Sequence, residues 1–526
     1  MKNIKFKNLL LTCLTAALLV LSFPRFSFWP LAWIAFIPLL FALDDKTQKR
    51  SFLLSYLAGV VFFSCMIYWF VHVTIVGAIL LVLYFAVYFG LFGFLISWVK
   101  SKSLFVKIIC IPGIWVLLEY LRAHLLSGFG WASLGHSQYP FIPIIQIADI
   151  TGVWGLSFLM MAVNVFLKEA FVVFLTLRDK SSVTSTVRRV HLLRVGCLVV
   201  LCFVAILSYG FRQVAHYQQV QSDESVLVAV VQANIAQEDK WQEVSWPKIR
   251  DRYIGLTQEA ASALRERQKQ SNIPGLIIWP ETAFPGFLWE DQDFFEEIQA
   301  LVKEVGIPLL FGSVVYEKGQ YFNAAILLSE KGEVMDQYNK LHLVPFGEFL
   351  PFRTWMPALA DLVPIADFTG GQRWTVFPIS EKETSAAADS FFSVLICFED
   401  TIGALSRGFV NHGAKLLINM TNDAWFRESK ASTLHMVCGL FRAVENRRVL
   451  IRAANTGVSC VINATGEIVA QLRDKRTQSS FISGYFLQSV SLHRQKTFYT
   501  KYGDVFMLGV VFFMFLFLGV HFFRRG

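Results

Sequence analysis

The sequence predicts a polytopic helical membrane bundle of about eight spans that carries one α/β layered domain. Three observations predict it. Only 17% of the 526 residues are charged and mean hydropathy is +0.49, whereas soluble chains sit near ~25% charged. Apolar runs near the ~20 residues needed to cross hydrocarbon recur before residue 211 and once more after residue 503. Between them, residues 225–490 are polar and alternate strand-like with helix-like runs, the pattern of a layered α/β fold.

Lys2, Lys5 and Lys7 precede the apolar run Leu9–Phe23. No small-residue cleavage site follows and further apolar segments come at once, so this run reads as a retained first helix rather than a signal peptide. The next spans are predicted over Phe28–Leu43, Ser51–Phe70, Ile75–Trp98, Leu104–Leu121, Thr151–Leu177 and Leu193–Gly210. The eighth covers Val505–Phe523, ahead of Arg524 and Arg525. The expected domains are therefore 1–211, 225–490 and 503–523. Residues 121–149, rich in aromatics and glycine, read either as an interfacial loop packed against the polar domain or as a connector.

Loop charges predict the topology. Basic residues gather at the N-terminus, at Lys46, Lys49 and Arg50, at Lys100, Lys102 and Lys107, and at Arg178, Lys180, Arg188 and Arg189, while the alternate loops are poor in them. Positive-inside reasoning then puts both termini in the cytoplasm and the polar domain outside it. The same reasoning accounts for the net charge of +9. With no basic–aromatic binding motif, nucleic acid is not an expected partner.

Within the polar region, strands are expected over Val226–Gln232, Gly275–Trp279, Leu309–Tyr316, Ala324–Leu328, Val334–Tyr338, Phe391–Cys397, Leu416–Met420, Leu450–Ala454 and Val458–Ile462. Helices are expected over Lys248–Gln270, Asp293–Val305, Ile402–His412 and Thr433–Arg447. Of eight cysteines, Cys397, Cys438 and Cys460 lie in this region, with no metal-ligand spacing, so neither a metal nor a cofactor is implied. Cys438 and Cys460 read as core residues.

Three strand ends carry ionisable groups. Leu276–Trp279 leads through Pro280 to Glu281, Val334–Asn339 leads to Lys340, and Phe391–Ile396 leads to Cys397. Each has an ordinary reading: a core cysteine, a solvated glutamate, a surface lysine. Together they suffice for thiol-based acyl transfer. Glu281 would serve as general base and then acid. Lys340 would favour the thiolate and stabilise the oxyanion. Cys397 would attack the carbonyl and hold the acyl group as a thioester.

These segments, Pro280-Glu281-Thr282, Lys340 with Pro345-Phe346-Gly347-Glu348, and Cys397-Phe398-Glu399, resemble the nitrilase superfamily with its Glu–Lys–Cys triad. With seven helices before and one after, the chain resembles the bacterial apolipoprotein N-acyltransferase family. Thr421-Asn422-Asp423-Ala424-Trp425-Phe426 and Ala453-Ala454-Asn455-Thr456-Gly457 add to the match. The resemblance implies an αββα sandwich outside the cytoplasmic membrane. It implies acyl transfer from a phospholipid, typically phosphatidylethanolamine, to Cys397, and then to the α-amine of a diacylglyceryl-cysteine apolipoprotein. Glu348 and Glu399 match supporting positions, and Trp241 a tryptophan near the lipid site. The chain departs from the family at Phe398, where Tyr is usual, at Arg427, where Gly is usual, and at Val449, where Pro is common. A packing role carries over to Phe398, and none that needs a phenol.

Two apolar stretches without strand alternation are expected to form lipid-facing mobile loops: Phe284, Phe287 and Trp289 in one, Trp355 through Gly371 in the other. Core packing is the alternative for both. The competing functions are a membrane-anchored carbon–nitrogen hydrolase, with water in place of the amine, and a non-catalytic membrane scaffold.

Overall fold

The computed structural model of the chain describes residues 2–99, 102–176, 183–219, 224–271, 273–351, 367–379 and 390–523. The chain divides into two compact units, Met1–His216 with Tyr502–Gly526, and Tyr217–Lys501.

The first unit is helical. Among its described residues, five helices are long and apolar enough to cross a membrane, and shorter apolar helical stretches, some of them interrupted, cover Phe6–Ser22, Trp29–Ala42, Ile142–Thr151 and Val505–Leu516. The span expected over Phe28–Leu43 is not one helix. It is a 3-10 turn, Trp29–Trp33, followed by the helix Ile37–Ala42. Pro30 and Pro38 sit in the first turn of each. Proline lacks the donor an interior turn needs and clashes with the turn before it, so it starts a helix but does not let one run through. The helix expected over Leu193–Gly210 instead spans Val183–Gln219.

The segment after the helix Leu104–His124 is packed into this unit. Arg122 donates to the carbonyls of Phe129 and Trp131 at 2.8 and 2.7 Å, and Glu119 accepts from the Leu134 N–H at 2.6 Å. Trp131 is buried against Trp69, ring centroids 5.1 Å apart. Buried loop carbonyls thus find side-chain donors where no helix supplies them. The helices Gln48–Met66 and Ile75–Ile96 cross closely at Gly93, where a Cβ would stand 2.4 Å from the Ser51 carbonyl.

The second unit holds twelve described strands: β1 Ser225–Gln232, β2 Gly275–Ile278, β3 Leu309–Glu317, β4 Gln320–Leu328, β5 Val334–Asn339, β6 Phe377–Pro378, β7 Phe391–Ile396, β8 Ala414–Thr421, β9 Val449–Ala454, β10 Cys460–Ile462, β11 Ile468–Gln471 and β12 Gly484–Ser491. They form two six-stranded sheets, ordered β12-β1-β2-β3-β4-β5 and β11-β10-β9-β8-β7-β6. Helices Trp246–Gln268 and Gln292–Val305 pack on the first sheet. Gly403–Asn411 and Ala431–Asn446 pack on the second, and the sheets face each other. This is the αββα sandwich.

The parallel strands β7, β8 and β9 are buried almost throughout. That explains their near-continuous apolar runs, since a strand covered on both faces has no polar side to show. Cys438 and Cys460 are buried core residues. Three strands escaped sequence reasoning. β6 has two residues, β11 is only partly covered, and β12 is half-buried along most of its length. β12 pairs antiparallel with β1 from Ser225–Ser491 to Gln232–Gly484, a closure between distant segments that no local pattern announces.

Candidate active site

The three candidate residues stand at or just beyond the ends of strands. Glu281 lies three residues past β2, Lys340 directly follows β5, and Cys397 directly follows β7. Strands β2 and β5 share a sheet with β3 and β4 between them, and β7 belongs to the other sheet. The site is therefore assembled by folding one sheet over the other.

A tight turn holds Glu281. The Gly312 N–H donates to the Pro280 carbonyl at 3.2 Å, and the Phe284 N–H to the Gly312 carbonyl at 3.1 Å. A Cβ at Gly312 would stand 2.6 Å from the Thr282 nitrogen and 2.7 Å from the Glu281 Cα, so this approach requires glycine. Glu281 and Lys340 are buried, at 7% and 1% exposure.

Asn323 Nδ2 donates to Glu281 Oε1 at 2.8 Å and to Glu348 Oε1 at 2.9 Å. Lys340 Nζ pairs with Glu348 Oε1 at 2.8 Å. Burial works against the Lys340 charge. Glu348, Cys397, Glu281 and Glu399 together outweigh it, and its pKa rises.

Glu399 is fully buried and ties the thiol strand to the lysine segment. It accepts from the backbone N–H groups of Ile396, Leu341 and His342 at 2.7, 2.8 and 3.0 Å, and from the Tyr338 hydroxyl at 2.9 Å. Burial pushes its carboxyl up to about 7 despite Lys340 and these donors.

Cys397 sits at a sharp strand-to-helix turn. It has φ +52°, left-handed for a non-glycine residue, and opens the 3-10 helix Cys397–Thr401. Such a turn lifts the side chain off the strand end, at a local cost of about 1–2 kcal/mol. Its carbonyl accepts from Asn419 Nδ2 at 3.0 Å and His435 Nε2 at 3.2 Å. Burial, with the charge of Glu281, pushes the thiol well above its ordinary range. Lys340 and a hydrogen bond with Thr421 offset this only in part. Cys397 therefore rests as a thiol. The expected thiolate bias from Lys340 is present but outweighed by burial and by the charge of Glu281.

Beneath the turn lies a buried charge network. Arg452 pairs with Asp423 Oδ2 at 2.6 Å and Asp400 Oδ2 at 3.3 Å, and donates to Asn419 Oδ1 at 2.7 Å. His435 lies between the same carboxylates, 2.9 Å from Asp400 Oδ1 and 3.0 Å from Asp423 Oδ1. Burial opposes the imidazolium, but Asp400 and Asp423 prevail over burial and Arg452 and raise its pKa to about 9. Two cations face two anions, which is how such groups remain charged away from water.

The structure brings Glu281, Lys340, Cys397, Glu348 and Glu399 into one connected array. Trp241, half-exposed, follows the buried Lys240. Phe398 is partly buried, its ring 6.4 Å from that of His342. Phe284 corrects an expectation. It is 1% exposed and stacks on Phe294 at 4.8 Å in the core. The loop expected over 284–289 is pinned along β3, with the Leu288 N–H on the Val314 carbonyl at 3.0 Å. Its backbone is satisfied by the sheet and Phe284 fills the layer beneath. Phe287 and Trp289 are partly exposed. Trp289 Nε1 donates to Glu317 at 3.2 Å. Trp355 lies outside the described residues, as does most of the second apolar stretch.

Sequence reasoning missed Lys240, Asn323, Asn419, Asp400, Asp423, His435 and Arg452. A polar Asn323 ahead of the apolar Ala324–Leu328 was one available signal, since an amide in a buried strand needs partners.

At Arg427 the backbone takes φ +50° and ψ −160°, a region nearly confined to glycine and worth ~1–3 kcal/mol of strain. Its exposed pair with Glu238 at 3.2 Å contributes little. Arg427→Gly should raise stability by about 1 kcal/mol, read as a higher unfolding midpoint.

A carbon–nitrogen hydrolase sandwich with a thiol, a lysine and two flanking carboxylates, in one chain with a bundle of apolar helices, defines a membrane-embedded member of that superfamily. Residues 227–483 match the carbon-nitrogen hydrolase family, and residues 15–166 match the family described as apolipoprotein N-acyltransferase N-terminal domain. The chain is 35% identical to the apolipoprotein N-acyltransferase of Geobacter metallireducens over 516 residues, covering 95% of this chain and 92% of that one. The corresponding proteins of Methylococcus capsulatus and Pasteurella multocida are 32% and 28% identical, over 85% and 93% of this chain and 84% and 91% of theirs. The chain belongs to the apolipoprotein N-acyltransferase family.

Proposed function

We propose that the chain moves a fatty acyl group from a membrane phospholipid, phosphatidylethanolamine foremost, through a Cys397 thioester to the α-amine of a diacylglyceryl-cysteine apolipoprotein. The observation that carries this reading is the array Glu281–Asn323–Glu348–Lys340 together with the Cys397 thiol at a strained turn, in a chain matching an N-acyltransferase over 95% of its length.

Glu281 takes the thiol proton as Cys397 attacks the ester carbonyl, and passes it to the departing lysophospholipid oxygen. Lys340 stabilises the oxyanion, with its position set by Glu348 and Glu399. The amine then attacks the thioester carbon, the C–S bond breaks, and an amide forms. Trp241, Phe287, Trp289 and Phe398 are assigned to the lipid-contacting face. The basic Lys46, Lys49, Arg50, Lys102 and Lys107 support a cytoplasmic position for their loops, and hence a domain facing the periplasm of a bacterial inner membrane with both termini cytoplasmic.

Loading purified protein with radiolabelled phospholipid and adding a diacylglyceryl-cysteine peptide tests the reading. The label should move from protein to peptide as an amide. Discharge by water at the same rate, with the peptide left unlabelled, would make the protein a hydrolase instead.

A further inference from the structure

We propose that Lys240 is a second catalytic base of this site: it takes the proton from the incoming α-ammonium, so that a free amine meets the Cys397 thioester. The assignment rests on the transferase reading above. Lys240 is 4% exposed and ends the helical turn Gln237–Lys240. Its Nζ donates to the Glu281 backbone carbonyl at 3.0 Å, which sets it against the catalytic carboxylate. Among the described residues no carboxylate forms an ion pair with it, whereas the equally buried Lys340 is paired with Glu348 at 2.8 Å. The two lysines thus differ in kind: one is locked as a cation, and the other has no carboxylate partner.

A buried lysine without a counter-ion favours its neutral form. Burial accordingly drives Lys240 down to about 8, with Glu281 and Cys397 opposing the fall. Those two, from the turn after β2 and the turn after β7, are the ionisable groups facing it. On its own helical turn Glu238 and Asp239 are exposed, and Glu238 pairs with Arg427.

An α-amino group has a pKa near ~8, so at neutral pH most of the acceptor enters as ammonium, which is not a nucleophile. A base of matched affinity removes that proton with little mismatch. The balance is complete. Of the two protons the nitrogen loses, one goes to Lys240 and later to solvent. The other goes to Glu281 and from there to the sulfur as the C–S bond breaks.

The test uses full-length enzyme and the variants Lys240→Met and Lys240→Arg. It measures loading of Cys397 from labelled phospholipid separately from discharge by a diacylglyceryl-cysteine peptide between about pH 6.5 and 9.5. Discharge at neutral pH should fall roughly tenfold more than loading in both variants, the factor by which an amine of pKa ~8 is held as ammonium there. Discharge by Lys240→Met should recover as pH rises past ~8, where the acceptor titrates by itself. Wild-type discharge by Lys240→Arg would overturn the proposal, since a fixed charge would then suffice. So would an equal fall in loading and discharge, which marks a structural role. A wild-type enzyme that fails to load from phospholipid, or discharges only to water, would instead overturn the transferase reading.

Discussion

Cys397→Ala should abolish transfer, by a factor on the order of 10⁴ or more, because every later step runs through the sulfur. With labelled phospholipid, the native protein should acquire an adduct that hydroxylamine releases, as it releases a thioester, and the variant none. An adduct surviving the substitution would move the nucleophile elsewhere. The fold should tolerate the change. The Cys397 side chain is partly exposed, and the contacts that hold the turn use its carbonyl, through Asn419 and His435. Glu281→Gln should behave differently. It keeps an oxygen for Asn323 but has no affinity for the thiol proton. Because burial still holds the thiol above its ordinary range and no base remains to take its proton, loading should fall by about 10²–10⁴.

The second large effect is on stability. Arg452→Met should cost about 3–5 kcal/mol, since removing one partner of a buried ion pair leaves the other charge without compensation. Arg452 is fully buried and serves Asp423, Asp400 and Asn419 together, so one cation, His435, would remain for two carboxylates. Chemical unfolding should show a lower midpoint, and the residual folded enzyme should load slowly, because Asn419 and His435 also hold the Cys397 carbonyl. Arg250, paired with Glu297 at 3.2 Å on the surface, is the control, and its removal should cost under about 1 kcal/mol. Equal losses at the two positions would refute a supporting role for the network.

The site was only partly legible in the chain. Glu281, Lys340 and Cys397 each follow an apolar run, and an apolar run ending in an ionisable group is a local signal. Lys240 gave none. It lies in Gln237-Glu238-Asp239-Lys240-Trp241, which has the composition of a solvated turn, and its burial depends on where Glu281 comes to rest. The network under Cys397 joins positions 400, 423, 435 and 452, whose charges look unrelated along the sequence. Phe284 misled in the opposite sense. An aromatic beside Pro285 and Gly286 reads as a loop residue, and it becomes core because the segment hydrogen-bonds along β3.

By itself the sequence determined the helical membrane character, the order of most strands and helices in the polar domain, and the three residues at the strand ends. These follow from hydrophobic periodicity and local backbone chemistry, which act over a few residues. Only the tertiary structure decided that β2 and β5 deliver their residues from one sheet to a thiol on another. It alone decided that Pro30 and Pro38 break the second span into two short pieces packed within the bundle, and that of two buried lysines one has a carboxylate partner and the other does not. The reason is common to all three: burial and charge pairing depend on distances in space between residues far apart in the chain, and those distances are set when the layers close.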